Sequence, residues 1–167
     1  MDKDATMKSL QMKLGIIGLA TAAWAVSAPQ VTQASDVIEL TQTGCQFLEP
    51  EGTDHNYKTA SKADCERINA QSGDDRLAKA KVMELKPGEY VFRVTNKNVP
   101  YELGFWLRDE DYDGRNPLHK ISKTSVSGGG LTTGKSRDYK VTLKPGAYVF
   151  SCPLNTTPDY RIVVPAS

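Results

Sequence analysis

Residues 143–164, LKPGAYVFSCPLNTTPDYRIVV, read as a turn, a strand, a loop and a second strand, and the chain upstream supplies what such a stretch needs around it. Lys144, Pro145 and Gly146 make the turn, because Pro presets φ and Gly accepts the positive φ that strains other residues. Across 147–152 the alternation puts Tyr148, Phe150 and Cys152 on one face and Ala147, Val149 and Ser151 on the other. The thiol therefore points inward with the aromatics. Pro153 stops ladder pairing, residues 155–159 form a loop of turn formers, and residues 160–164 begin a last apolar strand.

Working upstream, LKPGEYVFRV at 85–94 nearly repeats LKPGAYVFSC at 143–152. Both are one local solution, a Pro-Gly turn feeding a strand with an aromatic face, which two-sheet Greek-key sandwiches use repeatedly. Further strands are predicted at 37–41, at 44–47 running on toward Pro50, at 81–85 and at 89–95. Two more follow at 99–108, with Val99, Tyr101, Leu103, Phe105 and Leu107 on one face, and at 137–143. The fold class expected is all-β, a Greek-key β-sandwich with a short helical insertion at about 53–75. Within that insertion Ser61 caps a helix with Asp64 three residues on, and Gly73 closes it. Residues 109–134 are polar, with Gly128, Gly129 and Gly130 in a row, and read as one long loop. His119 within it reads as a solvated residue.

The N-terminus has the form of an export signal covering 1–34: Lys3, Lys8 and Lys13 precede an apolar run at 14–26, followed by small and polar residues. That run of 13 residues is shorter than the roughly 20 that a membrane-spanning helix needs, so the segment is expected to be cleaved, with no membrane insertion afterwards. A single domain at 35–167 and a periplasmic location follow from that reading. The whole chain carries 21 Lys+Arg against 20 Asp+Glu, a balance that gives no reason to invoke nucleic acid or an anionic membrane.

The run Pro145, Gly146, Tyr148, Phe150, Cys152 resembles the closing segment of the cupredoxin family, in which the Cys leads into the copper-ligand loop. Blue-copper members carry His three residues after that Cys. This chain has Asn155 there, and Tyr101 after Pro100 where the other ligand His falls. A blue-copper centre needs two imidazoles and a thiolate, and the only histidines are His55 and His119. Closer still is the resemblance to the EfeO-type cupredoxin-like domain of periplasmic iron-uptake proteins, with a Pro-Gly-x-Tyr strand ending in a Cys and no His after it. That resemblance implies a metal site, copper or iron, with Cys152 and Cys45 as ligands and Glu102 as the nearby carboxylate.

Three cysteines in an exported chain allow one intramolecular bridge and leave one thiol. Pairing Cys45 with Cys65 closes a loop of about 20 residues, which the chain-entropy model values at roughly 3 kcal/mol; pairing Cys45 with Cys152 ties the first strand to the ligand strand. Both remain open on the sequence. No Ser/His/Asp set, no paired catalytic carboxylates and no zinc spacing of Cys and His occurs, so no enzyme activity is expected. Asp109, Glu110, Asp111 and Asp113 lack the closing Glu of an EF-hand loop and read as a solvated turn. Two functions follow: a periplasmic metal-binding protein without a blue-copper centre, or a metal-free cupredoxin-fold interaction module that meets a periplasmic or membrane protein partner through its insertion and long loop.

Overall fold

The computed structural model describes residues 35–166. In chain order its elements are β1 (Asp36–Thr43), β2 (Gln46–Phe47), α1 (Leu48–Glu51), α2 (Lys62–Lys79), β3 (Met83–Glu84), β4 (Gly88–Asn96) and β5 (Leu103–Asp109), followed by α3 (His119–Ser122), β6 (Thr124–Leu131), β7 (Ser136–Leu143), β8 (Gly146–Ser151) and β9 (Tyr160–Val164). One sheet has the order β2-β1-β4-β7 and the other β3-β9-β8-β5-β6, so the chain passes back and forth between two layers. β1 runs parallel to β4 and β3 parallel to β9, while the remaining pairs are antiparallel. This is the all-β Greek-key sandwich with a helical insertion that the alternation predicts. The predicted export signal lies outside the described residues.

Alternation sets the core. Leu103, Phe105 and Leu107 from β5, Phe92 and Val94 from β4, and Phe150, Tyr160 and Ile162 from β8 and β9 are all buried between the sheets. Phe47 anchors them, with its ring edge-on to Phe105, Phe150 and Tyr160 at centroid separations of 6.2, 5.2 and 5.8 Å. Burying one such side chain contributes on the order of 1.5–3 kcal/mol. Both faces of the β8 end are covered, since Val149 and Ser151 are buried along with Tyr148, Phe150 and Cys152.

Three expectations are corrected. The first strand does not run on toward Pro50: Cys45 sits at φ +63°, which turns the chain into the short β2 and then α1. Gly44 permits the turn, because a Cβ there would meet the Tyr57 carbonyl oxygen at 2.5 Å. The insertion helix starts as predicted, with the Asp64 carboxylate accepting from the Ala60 and Ser61 N–H groups at 2.9 and 3.1 Å. It passes through Gly73, however, and ends only at Lys79. Finally, residues 109–134 are no structureless loop, for they contain α3 and all of β6. The glycines that read as loop are there because the strands come close: a Cβ on Gly104 would lie 2.7 Å from the Gly128 carbonyl oxygen. Gly129 and Gly130 form a bulge opposite Gly104 between the pairs Leu103–Leu131 and Phe105–Gly128.

Candidate functional site

β8 delivers Cys152 to the end of the sandwich, and the following loop folds back so that Asn155 fills the space beside it. Cys152 is fully buried, and its Sγ accepts from the backbone N–H groups of Gly104 and Asn155, each at 3.3 Å. Burial pushes the thiol above its ordinary pKa, with those two N–H groups opposing the shift. The Asn155 amide is buried and engaged on both ends. Its Oδ1 accepts from the Cys45 N–H at 3.2 Å and the Tyr101 hydroxyl at 3.0 Å, and its Nδ2 donates to the Thr43 carbonyl at 2.8 Å. Cys45 is bonded to Cys65 across a separation of 20 residues, and Cys65 Sγ lies 3.2 Å from Asn155 Oδ1. Asn155 and Tyr101, the two positions where the cupredoxin resemblance would place imidazoles, thus touch each other and the disulfide.

The predicted ligand set does not assemble. Cys45 offers no thiolate, its sulfur being bonded to Cys65. Glu102 is exposed, and its Oε1 accepts from the Gly130 N–H at 2.7 Å. It lies one residue before β5, next to the buried Leu103, and the bulge beside it binds its carboxylate. Only Cys152 keeps a free thiol. Among the described residues no three His, Cys, Asp or Glu side chains converge as a metal would require. The residues present therefore do not fit a blue-copper ion, which needs imidazoles where Asn155 and Tyr101 stand. His55 and His119 are also engaged elsewhere, the first on Glu51 at 2.8 Å and the second accepting from the Asp113 N–H at 2.9 Å. The acidic turn is neutralised by neighbours: Glu110 pairs with Arg161, Asp111 with Lys123 and Asp113 with Arg115.

A buried ionic hub escapes any sequence reading. The Glu51 and Arg76 side chains are 2% and 6% exposed and meet through two hydrogen bonds at 2.7 and 2.9 Å. Tyr160 donates to Glu51, while Arg76 also reaches the Cys45 carbonyl at 2.9 Å and Asn69 Oδ1 at 2.7 Å. Burial alone would lower the Arg76 guanidinium pKa, yet the Glu51 carboxylate holds it above the usual value. Burial and the same carboxylate push the Tyr160 phenol far up. This hub clamps α2 to the sandwich. The one linear trace of it is the stripe Cys65, Asn69, Gly73 and Arg76 on α2, at helical spacing and without an apolar side chain other than the cysteine.

On the other side of Gly104 opens a cleft of about 490 Å³. Phe105, Trp106, Tyr112, Pro153 and Leu154 give it an apolar lining over a glycine floor, and Lys120 is its one charged lining residue. Trp106 is fixed in place: the Arg108 guanidinium lies over its ring at 4.0 Å, Tyr112 meets it edge-on at 4.9 Å, and its indole N–H donates to Thr124 Oγ1 at 3.4 Å. Arg108 is itself held by Ser151 and Asp159 at 3.0 and 2.6 Å. Sequence reading missed this cleft because it needs β6 beside β5, where a loop was expected.

No family model matches the chain, and no curated protein matches it. Solved structures do superpose on it. Dithionite-reduced auracyanin from the photosynthetic bacterium Roseiflexus castenholzii aligns with a TM-score of 0.48 at 14% identity, covering 80% of this chain and all of that one. Auracyanin A, a blue copper protein from the green thermophilic photosynthetic bacterium Chloroflexus aurantiacus, aligns at 0.47 and 12% identity, covering 78% of this chain and 99% of that one. At TM-scores below 0.5 these likenesses add nothing to the two-sheet β-sandwich described above. Likeness at this level says nothing of metal in this chain.

Proposed function

We propose that the chain is an exported, metal-free cupredoxin-fold binding module rather than a metal carrier or an enzyme. The observation that carries this reading is Asn155, a neutral and fully buried amide whose hydrogen bonds to Cys45, Tyr101 and Thr43 fill the position beside Cys152. Inserting an ion there would break those bonds and leave buried polar groups unpaired, at about 1–3 kcal/mol each. The Cys45–Cys65 bridge supports an oxidising compartment such as the periplasm, in agreement with the signal-like 1–34 segment. Among the described residues no helix is long and apolar enough to cross a membrane.

A second reading, metal binding with copper favoured over iron, rests on Cys152. Its sulfur accepts two backbone N–H bonds, which oppose the effect of burial on the thiol and would support the thiolate that a soft ion such as Cu(I) takes. Elemental analysis separates the two. Protein purified from the periplasm, and again after exposure to copper and iron, is expected to hold no stoichiometric metal, with wild type and Cys152→Ser alike. One metal per chain that disappears in Cys152→Ser would overturn the module reading in favour of the second.

A further inference from the structure

We propose that the cleft between β5, β6 and the Pro153–Leu154 turn binds a small amphiphilic anion, a compact aromatic or aliphatic body bearing one carboxylate or sulfonate. The inference deepens the binding-module reading and rests on it. Size comes first: about 490 Å³ lies within the range of small-molecule sites, roughly 300–1,000 Å³. Lining comes second. Phe105, Trp106, Tyr112 and Leu154 supply apolar and aromatic walls, and the glycine floor of Gly104, Gly128 and Gly129 lets a flat body approach the backbone. Leu154 remains 41% exposed, so its apolar surface is available for burial.

Charge decides the class of occupant. Lys120 is the one charged lining residue, and among the described residues it has no ion-pair partner, whereas its neighbour Lys123 is paired with Asp111. No carboxylate lines the cleft, and Glu102 close by is turned onto the Gly130 N–H. A cationic ligand would meet only the Glu102 carboxylate at the edge, already taken by the Gly130 N–H; an anionic one has the unpaired Lys120 and the Thr124 and Ser127 side chains among the lining residues. Preorganisation strengthens the argument. Arg108, Tyr112 and Thr124 hold the Trp106 ring before any ligand arrives, so binding need not order it. A protein partner would instead use a flatter surface, in which Leu118 and Ile121, 68% and 86% exposed, took part with little dependence on one lysine.

Two dyes test the proposal on the whole chain. 8-Anilinonaphthalene-1-sulfonate carries the anion, and N-phenyl-1-naphthylamine is its neutral counterpart. The sulfonate is expected to bind one per chain and to quench the Trp106 emission, identified as the part absent in Trp106→Phe; Trp24 is the other tryptophan of the chain. Lys120→Gln should weaken the sulfonate at least threefold while leaving the neutral dye unchanged, and Ser127→Phe, which fills the cleft from the exposed face of β6, should abolish both. Both variants change exposed positions and should keep the wild-type denaturation midpoint. Equal affinity for the two dyes, unaffected by Lys120→Gln, would mark a nonselective apolar face suited to a protein partner and would overturn the proposal, as would no binding to the folded chain. The metal assay reads independently: a stoichiometric ion with intact dye selectivity removes the metal-free reading and leaves the cleft standing, whereas lost selectivity in metal-free protein does the reverse.

Discussion

Two additions lie against the same sandwich and are attached in opposite ways. The insertion carrying α2 is mostly polar, fully buries only Cys65, Gly73 and Arg76 from its helix, rests Leu77 against the core, and is held by the disulfide and the Glu51–Arg76–Tyr160 hub. The 109–134 segment joins by a strand ladder, β6 on β5, and leaves Leu118 and Ile121 in the open beside the aromatic cleft. A helix with so narrow an apolar face gains little from hydrophobic burial, so specific polar contacts take over most of that task. A segment already anchored by backbone pairing can leave its apolar side chains for something else. The first addition is built for attachment and the second for contact.

Breaking the hub should do the most damage. Arg76→Met leaves the Glu51 carboxylate buried without its cation, and should cost about 3–5 kcal/mol in guanidinium denaturation. A loss below 1 kcal/mol would show that the insertion does not depend on the hub. Removing the bridge comes next. The Cys45→Ser/Cys65→Ser double variant, which avoids re-pairing with Cys152, should lose roughly 3 kcal/mol by the same measurement.

Alkaline pH probes the sandwich beneath both additions. The folded Cys152 thiol is held above its ordinary pKa chiefly by burial. As pH rises past about 8.5 the unfolded chain gives up a proton that the folded chain keeps, so stability that is fully present below that pH declines above it. Denaturation midpoints between pH 8 and 10 should fall more steeply for wild type than for Cys152→Ala; parallel curves would refute the assignment. The smallest effect belongs to the contact segment. Ile121→Ser should change stability by less than about 0.5 kcal/mol, because that side chain is 86% exposed. A larger loss would mean that Ile121 packs in solution and is not offered for contact.

Much of this was legible along the chain. Residues 143–164 declare their hairpin through Pro-Gly, alternation and Pro153, and the repeated LKPG motif marks the start of β4 just as clearly. The helix start at Ser61 and Asp64 was equally plain, since capping is a matter of four consecutive residues. Where reading failed, a remote partner had overridden local propensity. Gly73 reads as a helix stop but sits buried inside α2, which runs on to place Arg76 against the remote Glu51. Gly128, Gly129 and Gly130 read as loop but form a bulged strand because Gly104 needs the room.

Alternation, turn chemistry and composition dictate the two-layer β architecture, the inward thiol of Cys152 and the want of imidazoles where a blue-copper ion would need them, so these are legible along the chain. Tertiary structure alone decided that Cys45 bonds Cys65, that Asn155 closes the place beside Cys152, that Glu51 meets Arg76, and that a cleft opens at Trp106. Each of these joins residues 20 or more positions apart, and such pairings are set by which strands lie side by side and not by any preference carried in the local sequence.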